Sequence, residues 1–318
     1  MTTIGSSGID VLPIALGANT LGWTVERDDA FAILDAFTDG GGSLVDTSDS
    51  YSAWVPGNSG GESETLIGEW IAARGGRERL VLATKVSRHP EFRGLAAATI
   101  AGAAEASLRR LQTDHIDIYF AHYDDPDTPL EESIEAFASL IERGLVRHVG
   151  LSNYTAERIT EWLEVADRLG APAPIALQPH YNLLHREPFE SEFAPLAREH
   201  GLGVLPYFGL AAGFLTGKYR SAADAEGVAR GAMVSSYLTD SGFAAAAELR
   251  AVAAERDVEP AAIALAWLRG RPTVTAPIAG ATSTAQVAPL LQAASLELTE
   301  SELERLERVS AAFQPAAA

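Results

Sequence analysis

The sequence predicts an α/β protein, a (β/α)8 TIM barrel with an N-terminal β-hairpin and extra C-terminal helices. Eight short apolar runs of strand length alternate with segments that carry helical patterns, which favours a closed parallel barrel. The 318 residues are 47% hydrophobic, enough to bury a large core. No linker rich in Pro, Gly or Ser divides the chain, so we expect a single domain over residues 1–318.

The predicted elements begin with a segment at 4–12 that has the pattern of a small hairpin closing the bottom of the barrel. The eight apolar runs lie at residues 14–17, 43–46, 80–85, 116–122, 148–153, 174–178, 203–207 and 274–278. Between the fourth and fifth runs, residues 129–143 place Leu130, Ile134 and Phe137 on one helical face. Gly144 is expected to end that helix.

The C-terminal third departs from a simple repeat. The stretch from Tyr207 to Gly280 exceeds one βα unit, so we expect a long loop over 209–242 followed by two helices. Thr299 and Glu302 have the spacing of a capping box that starts a last helix. The apolar stripe of this helix is expected to pack outside the barrel and consists of Leu303, Leu306, Val309 and Phe313.

Composition excludes several function classes. Acidic residues outnumber basic ones by 43 to 24, and the net charge of −19 repels nucleic acid. The chain has no cysteine, which excludes disulfides, thiolate nucleophiles and Cys-ligated metals. The apolar runs are far shorter than the ~18 residues that span a bilayer, and the N-terminus lacks a signal-peptide layout. We therefore expect a cytoplasmic protein without membrane partners.

Ionisable side chains end three successive strands. Asp46 ends the second run, Tyr51 follows five residues later, Lys85 ends the third and His122 the fourth. In a parallel barrel these ends meet at one rim, where the chemistry lies. Free tyrosine titrates near ~10, and a nearby ammonium lowers that pKa by stabilising the phenolate.

Six segments, in this order, closely resemble the aldo-keto reductase superfamily. They are DTSDSY at 46–51, ATK at 83–85, AHYDDP at 121–126, GLVRHVGLSN at 144–153, LQPHYN at 177–182 and LTGKY at 215–219. The resemblance spans nearly the whole chain. It implies a barrel that binds a nicotinamide dinucleotide without a Rossmann unit, and no Gly-x-Gly-x-x-Gly follows a strand.

The resemblance also implies catalytic roles. Tyr51 would be the general acid for carbonyl reduction, and Lys85, paired with Asp46, would lower its pKa. His122 would orient the carbonyl. The substrate would be a small carbonyl compound in a partly apolar pocket whose implied contacts are Trp23, Trp54 and Tyr123.

For the cofactor, the resemblance implies NADPH, with NADH as the alternative. The implied binding residues are Ser152, Asn153, Gln178, Tyr207, Phe208, Leu210, Gly213, Lys218, Arg230, Gly280, Thr282 and Gln286. Residues 280–286 contain no Asp or Glu to bind a free ribose 2′-hydroxyl, and Arg230 resembles the arginine that relatives fold over a 2′-phosphate. Two departures weaken the preference for NADPH: Thr282 stands where many relatives carry arginine, and Pro289 and Leu290 replace their Glu-Asn pair.

Plainer interpretations remain open for these residues. Asp46 and Lys85 could form a buried structural ion pair, Ser152 and Asn153 could cap the following helix, and residues 283–286 are themselves a capping-box pattern. A cofactor-binding regulatory subunit, as in channel-associated relatives, is a second function. A metal-dependent hydrolase is a third, although no His-x-His or His-Glu-x-x-His pair supports it and we expect no metal. The sequence does not fix the oligomeric state.

Overall fold

The strands of the computed structural model, which describes residues 1–316, form a parallel barrel with two small hairpins. In chain order they are β1 (Thr2–Thr3), β2 (Asp10–Val11), β3 (Ala15–Gly17), β4 (Leu44–Asp46), β5 (Val81–Val86), β6 (Arg88–His89), β7 (Phe92–Arg93), β8 (Ile116–Ala121), β9 (Val146–Ser152), β10 (Ala176–Gln178), β11 (Gly203–Val204) and β12 (Ile278–Ala279). The barrel sheet runs in the order β11-β10-β9-β8-β5-β4-β3-β12, and every neighbouring pair is parallel. The predicted (β/α)8 fold class is confirmed.

Contacts between the two edge strands close the sheet. Val204 forms a parallel bridge with Val274, and the Thr275 N–H donates to the Val204 carbonyl at 2.8 Å. These last two strands are shorter than the predicted runs 203–207 and 274–278. Pro206 and Pro277 lack the N–H that a continuous ladder needs, which accounts for the interruption.

The N-terminal hairpin closes the bottom of the barrel, as predicted. β1 pairs antiparallel with β2, and Ile4 and Val11 are fully buried among the side chains inside the barrel. Gly5 adopts a φ of +49°, and a Cβ there would lie 2.2 Å from the Ile175 carbonyl oxygen. Glycine is therefore required where the hairpin meets the strands.

Helices surround the barrel. They are α1 (Arg27–Asp39), α2 (Glu62–Arg74), α3 (Ala97–Leu111), α4 (Leu130–Glu142), α5 (Ala156–Leu169), α6 (Ala194–Glu199), α7 (Asp240–Glu255), α8 (Pro260–Arg269), α9 (Val287–Ala293) and α10 (Glu300–Ala311). α4 buries Leu130, Ile134 and Phe137, and it ends before Gly144. The capping box at Thr299 and Glu302 is formed, so both predictions are confirmed.

The long loop predicted over 209–242 connects β11 to the C-terminal helices, and it ends at Thr239, because α7 begins at Asp240. It contains three 3₁₀ turns, at Ala211–Thr216, Ala222–Ala225 and Gly231–Tyr237, before α7 and α8 follow as predicted. The β6–β7 hairpin directly after β5 was not predicted. Across residues 1–316, no helix has the length and apolar character needed to cross a membrane.

Candidate active site

The three side chains with implied catalytic roles, Asp46, Tyr51 and Lys85, meet at the ends of β4 and β5. We call them the catalytic cluster after that implied role. The Lys85 ammonium is completely buried and donates three hydrogen bonds, to Asp46 Oδ2 at 2.8 Å, to the Thr47 carbonyl at 2.7 Å and to the Tyr51 hydroxyl oxygen at 2.9 Å. An ammonium has three N–H groups, so all of its donors are used. The structure therefore brings together three of the four side chains that the sequence placed at the rim.

The pKa of Tyr51 differs from the expectation. Burial raises it to about 12, while the Lys85 charge lowers it and the Asp46 charge raises it again. The predicted direction of the lysine effect is right, but the predicted net lowering is wrong because desolvation of the phenolate outweighs the ammonium. For Lys85, burial lowers the pKa, but Asp46 and Tyr51 together raise it above its ordinary value. Tyr51 is thus a neutral phenol beside a charged lysine at neutral pH.

His122 follows β8, which is separated from β4 and Asp46 only by β5 in the barrel sheet. Its ring centroid lies 6.4 Å from that of Tyr51, at an interplanar angle of 76°. Its Nδ1 lies 3.3 Å from the hydroxyl oxygen of Ser48. Burial, followed by the charges of Lys85 and Arg88, holds the pKa of His122 well below its usual range. His122 is therefore a neutral imidazole.

The residues with implied nicotinamide contacts form one hydrogen-bonded chain across β9, β10 and β11. Gln178 Nε2 donates to Asp46 Oδ1 at 2.8 Å, and Ser152 Oγ donates to the Gln178 carbonyl at 2.9 Å. Asn153 Nδ2 donates to Ser152 Oγ at 3.0 Å, and the Tyr207 hydroxyl donates to Asn153 Oδ1 at 2.8 Å. This chain links the catalytic cluster to the Tyr207 ring.

Helix capping does not explain Ser152 and Asn153. The cap of α5 is Thr155, whose side chain accepts from the Arg158 N–H. Asn153 instead adopts a φ of +58° and donates to the His122 carbonyl at 2.9 Å. The capping interpretation of this pair is wrong, because its polar atoms are used across the rim.

The long loop contributes cations to the same face. Arg230 Nη2 donates to Asn19 Oδ1 at 3.2 Å, and its guanidinium carbon lies 5.6 Å from the ring centroid of Trp23. Gly213 has a φ of +99°, and a Cβ there would lie 3.2 Å from the Lys218 ammonium nitrogen. Leu210 precedes the first turn and is partly buried against the core. Burial lowers the pKa of Arg230, for which no ion pair with a carboxylate is found within residues 1–316.

The segment after β12 forms a separate hydrogen-bonded group. Gln286 Oε1 accepts from the Thr282 N–H at 2.9 Å and from its hydroxyl at 3.3 Å. The capping box predicted for 283–286 is wrong, because the Ser283 side chain makes no cap hydrogen bond and Gln286 reaches Thr282 instead. A Cβ on Gly280 would lie 3.4 Å from Asn19 Oδ1, which also receives Arg230. Gly280 thus lies near Arg230, whereas Thr282 and Gln286 bond to each other.

The aromatic residues predicted for substrate or cofactor contacts lie beside Tyr51, His122 and Tyr207. Trp54 is 50% exposed and meets Trp23 edge to face, with centroids 5.5 Å apart, and it also meets Tyr51 at 6.3 Å. Tyr123 lies beside His122 at 5.0 Å and carries Arg88 over its ring at 4.0 Å. Phe208, 36% exposed, packs edge to face on Tyr207.

Sequence reasoning missed four polar groups at the rim: the Thr47 carbonyl, Ser48, Asn19 and His180. Ser48 and Thr47 lie inside the DTSDSY segment, so their position beside Asp46 could have singled them out. His180 stacks on Tyr207, with centroids 5.3 Å apart. No local sequence pattern marks Asn19, because its contact at the rim is with Arg230, which is distant in sequence. Within the described range 1–316, no group of three or more His, Asp or Glu side chains is placed to hold a metal ion.

Comparison with known families covers almost the whole chain. A sequence profile described as the aldo/keto reductase family matches residues 13–311. This range contains every barrel strand described above.

Three relatives align over similar lengths. A protein named probable voltage-gated potassium channel subunit beta, from Arabidopsis thaliana, is 32% identical, with 96% of this chain and 95% of the relative covered. Protein tas of Escherichia coli is 31% identical, with 96% of both chains covered. The uncharacterized oxidoreductase YrpG of Bacillus subtilis is 32% identical, with 97% of this chain and 95% of the relative covered.

Proposed function

This chain belongs to the aldo/keto reductase family and is an oxidoreductase, and from that premise we propose that it reduces an aldehyde or ketone to an alcohol with NADPH. One observation carries the proposal. The Lys85 ammonium lies within hydrogen-bond distance of both Asp46 Oδ2 and the Tyr51 hydroxyl, and the Tyr51 ring meets the partly exposed ring of Trp54.

Tyr51 is the proton donor in this proposal. A phenol with a pKa of about 12 keeps its proton at neutral pH, and it releases that proton to the more basic alkoxide that forms as a carbonyl is reduced. The phenolate left behind is stabilised by the Lys85 ammonium at 2.9 Å. Asp46 holds the ammonium in place and balances its charge. The raised pKa thus suits an acid acting in the direction of reduction.

The residues present fit a nicotinamide dinucleotide, the cofactor type that this family uses. Lys218 and Arg230 are cations for which no carboxylate partner is found among residues 1–316, in a chain with a net charge of −19, and such groups suit phosphates. Ser152, Asn153 and Gln178 offer a polar edge for a carboxamide beside the Tyr207 ring. When bound, the reduced nicotinamide supplies the hydride that no side chain provides.

Neutral His122 and the aromatic residues would hold the substrate. An imidazole N–H facing the pocket can donate to the carbonyl oxygen that Tyr51 protonates. Trp54 and Trp23 offer apolar surface next to that point. We infer a partly apolar carbonyl compound as the substrate class.

The test is direct. Purified full-length protein is mixed with NADPH and a panel of aliphatic and aromatic aldehydes and ketones, and loss of the reduced nicotinamide absorbance is followed. We expect carbonyl-dependent oxidation of NADPH that yields the alcohol in equal amount. Binding of NADPH without turnover on any member of the panel would contradict the proposed activity.

The Arabidopsis relative's name favours a second function, a cofactor-binding regulatory subunit of the same fold with little turnover. Both functions require cofactor binding, so turnover distinguishes them. A single-turnover measurement with enzyme-bound NADPH and excess aldehyde is the sharper version. Hydride transfer within seconds favours the reductase, and NADPH that stays reduced for hours favours the regulatory subunit.

A further inference from the structure

Two buried residues lie directly behind His122 and have no role in the proposed chemistry. Ser48 and Asp49 are completely buried in the segment after β4. Ser48 Oγ lies 3.3 Å from His122 Nδ1 and 3.3 Å from Asp49 Oδ1. Ser48 Oγ also lies 3.0 Å from Ser50 Oγ and accepts from the Ser50 N–H at 3.3 Å. The one proton of the Ser48 hydroxyl can therefore go to the imidazole, to the carboxyl group or to the Ser50 hydroxyl oxygen.

The cations near Asp49 are already committed to other groups. Lys85 uses its three N–H donors on Asp46, Thr47 and Tyr51. Arg110 donates from Nε to Glu64 Oε2 at 2.7 Å, and the Thr84 hydroxyl donates to Glu64 Oε1 at 2.5 Å. Glu64 is therefore the buried carboxyl group that has a cation as a direct partner.

Asp49 lacks such support. Within residues 1–316 its Oδ2 is buried without a hydrogen-bond partner. Burial, reinforced by the charge of Glu64, raises the pKa of Asp49 well above its usual range, although Arg110, the Ser48 hydrogen bond and Lys85 oppose the shift. A buried carboxyl group in this position is most stable as the neutral acid.

The protonation state of Asp49 favours one direction of the Ser48 hydroxyl over the others. If Asp49 were ionised, Ser48 would donate to it and would accept from His122 Nδ1–H, which would leave Nε2 without a proton. If Asp49 is a neutral acid, its O–H can donate to Ser48 Oγ, and Ser48 can donate to Nδ1. His122 then carries its proton on Nε2.

We propose that Asp49, as a neutral acid, and Ser48 are positioning residues that keep the ring proton of His122 on Nε2, where it can donate to a carbonyl oxygen. The use of that proton in catalysis rests on the proposed reductase function. The hydrogen-bond order itself, from Asp49 through Ser48 to His122, does not depend on turnover.

Spectroscopy tests the hydrogen-bond order without activity. In the full chain with NADP⁺ added, nitrogen NMR of labelled histidine should show His122 protonated at Nε2 and unprotonated at Nδ1. The infrared difference between the wild type and Asp49→Asn should contain the carbonyl stretch of a protonated carboxyl group. A His122 protonated at Nδ1, or a difference spectrum with a carboxylate band instead, would overturn the proposal.

Kinetics tests the use of that order. Ser48→Ala should lower kcat about tenfold, the size of one lost hydrogen bond in a transition state, and leave the Kd for NADPH within about threefold. Asp49→Ala should lower kcat less, and Asp49→Asn, which keeps a neutral donor, should recover the loss. The matched control is Ser133→Ala. Ser133 is a buried serine of α4, and its hydroxyl donates to the Leu95 carbonyl. Equal losses of kcat in Ser48→Ala and Ser133→Ala would show a general structural effect and overturn the positioning role.

A failure of the proposed function would look different. If the wild type turns over no carbonyl compound, the reductase proposal fails, but the NMR and infrared results still decide the state of Asp49 and His122. If the wild type is active and His122 is protonated at Nδ1, the reductase proposal stands and the positioning role of Asp49 and Ser48 fails.

Discussion

The two lysines of this chain lie in opposite surroundings. Lys85 is completely buried at the end of β5 and donates to three oxygen atoms. Lys218 lies exposed on the long loop, with its ammonium 4.9 Å from the ring centroid of Tyr219. The same residue type is thus a fixed internal part of the catalytic cluster in one region and an available surface cation in the other.

The two surroundings suit different roles: Lys85 is placed to position Tyr51, and Lys218 is placed to bind a ligand. A buried ammonium with three fixed acceptors cannot move toward a ligand, but it holds Tyr51 at one distance and stabilises the phenolate. An exposed ammonium on a loop of 3₁₀ turns can move to meet a phosphate and stays hydrated until it does. We therefore expect changes in the catalytic cluster to alter kcat and changes in the long loop to alter cofactor affinity.

The largest expected effect comes from Tyr51→Phe, which removes the proton donor but keeps the ring. We expect kcat to fall by roughly 10²- to 10⁴-fold, while the Kd for NADPH changes by no more than about threefold. The measurement is steady-state reduction of a good substrate, with cofactor binding followed by fluorescence.

The matched control for this prediction is Tyr154→Phe. Tyr154 is buried, and within residues 1–316 its hydroxyl has no hydrogen-bond partner. That variant should keep the wild-type kcat. A Tyr51→Phe protein with wild-type kcat, measured where chemistry limits turnover, would remove Tyr51 from the mechanism.

The next effect compares the two lysines directly. Lys85→Met should lower kcat by at least about 10²-fold and move the loss of activity at alkaline pH upward. The pKa of Tyr51, already raised to about 12, rises further without the ammonium. It should also destabilise the fold by about 3–5 kcal/mol, since Asp46 is left buried without its cation. Lys218→Met should keep kcat and weaken cofactor binding. Equal losses of kcat in Lys85→Met and Lys218→Met would show that the buried and the exposed lysine do not have different roles.

The sequence predicted that Asp46, Tyr51 and Lys85 lie at one rim, and the structure brings them into contact for a geometric reason. Each member ends or closely follows a β-strand, and parallel strands carry their last residues to one rim, so order along the chain gives proximity in space. The net pKa of Tyr51 was not predictable in this way. It depends on how much solvent the surrounding side chains exclude, which no local pattern encodes.

The long loop was much less predictable from the sequence than the catalytic cluster. Its length and position follow from the gap between two strands, but its turns and the contact of Arg230 with Asn19 do not. That contact joins residues far apart in the chain and is set by how the loop lies across the barrel mouth. The capping box predicted at Ser283 is also wrong because of a contact that the pattern does not encode. The Gln286 side chain accepts from the Thr282 N–H instead of the Ser283 N–H.

A moderate effect is expected from Arg230→Ala. If the guanidinium binds the 2′-phosphate, NADPH binding should weaken about tenfold, the size of a lost charge-assisted contact, and NADH binding should change little. Titration of both cofactors against the wild type and the variant measures this. Arg220→Ala, an exposed arginine of the same loop, is the matched control and should leave both affinities unchanged. Equal or tighter NADH binding in the wild type would overturn the NADPH assignment.

The smallest effect concerns His180, which lies where the two regions meet. Its ring stacks on Tyr207 at 5.3 Å, and its Nε2 lies 3.4 Å from the hydroxyl oxygen of Tyr237 in the long loop. Burial, together with the neighbouring His185, lowers the pKa of His180 from 6.5 to about 3.

Below pH 6.5 His180 therefore binds a proton in the unfolded chain but not in the folded chain, and the free energy of unfolding falls as the pH falls. Between pH 6.5 and 5.5 this one group should cost about 1 kcal/mol of unfolding free energy. Urea unfolding at the two pH values should show a smaller loss in His180→Gln than in the wild type, whereas His200→Gln, which changes an exposed histidine after α6, should show the wild-type loss. An equal loss of unfolding free energy in His180→Gln and the wild type would mean that the stacked ring does not resist protonation. The contact between His180 and the long loop would then not contribute to the pH dependence of stability.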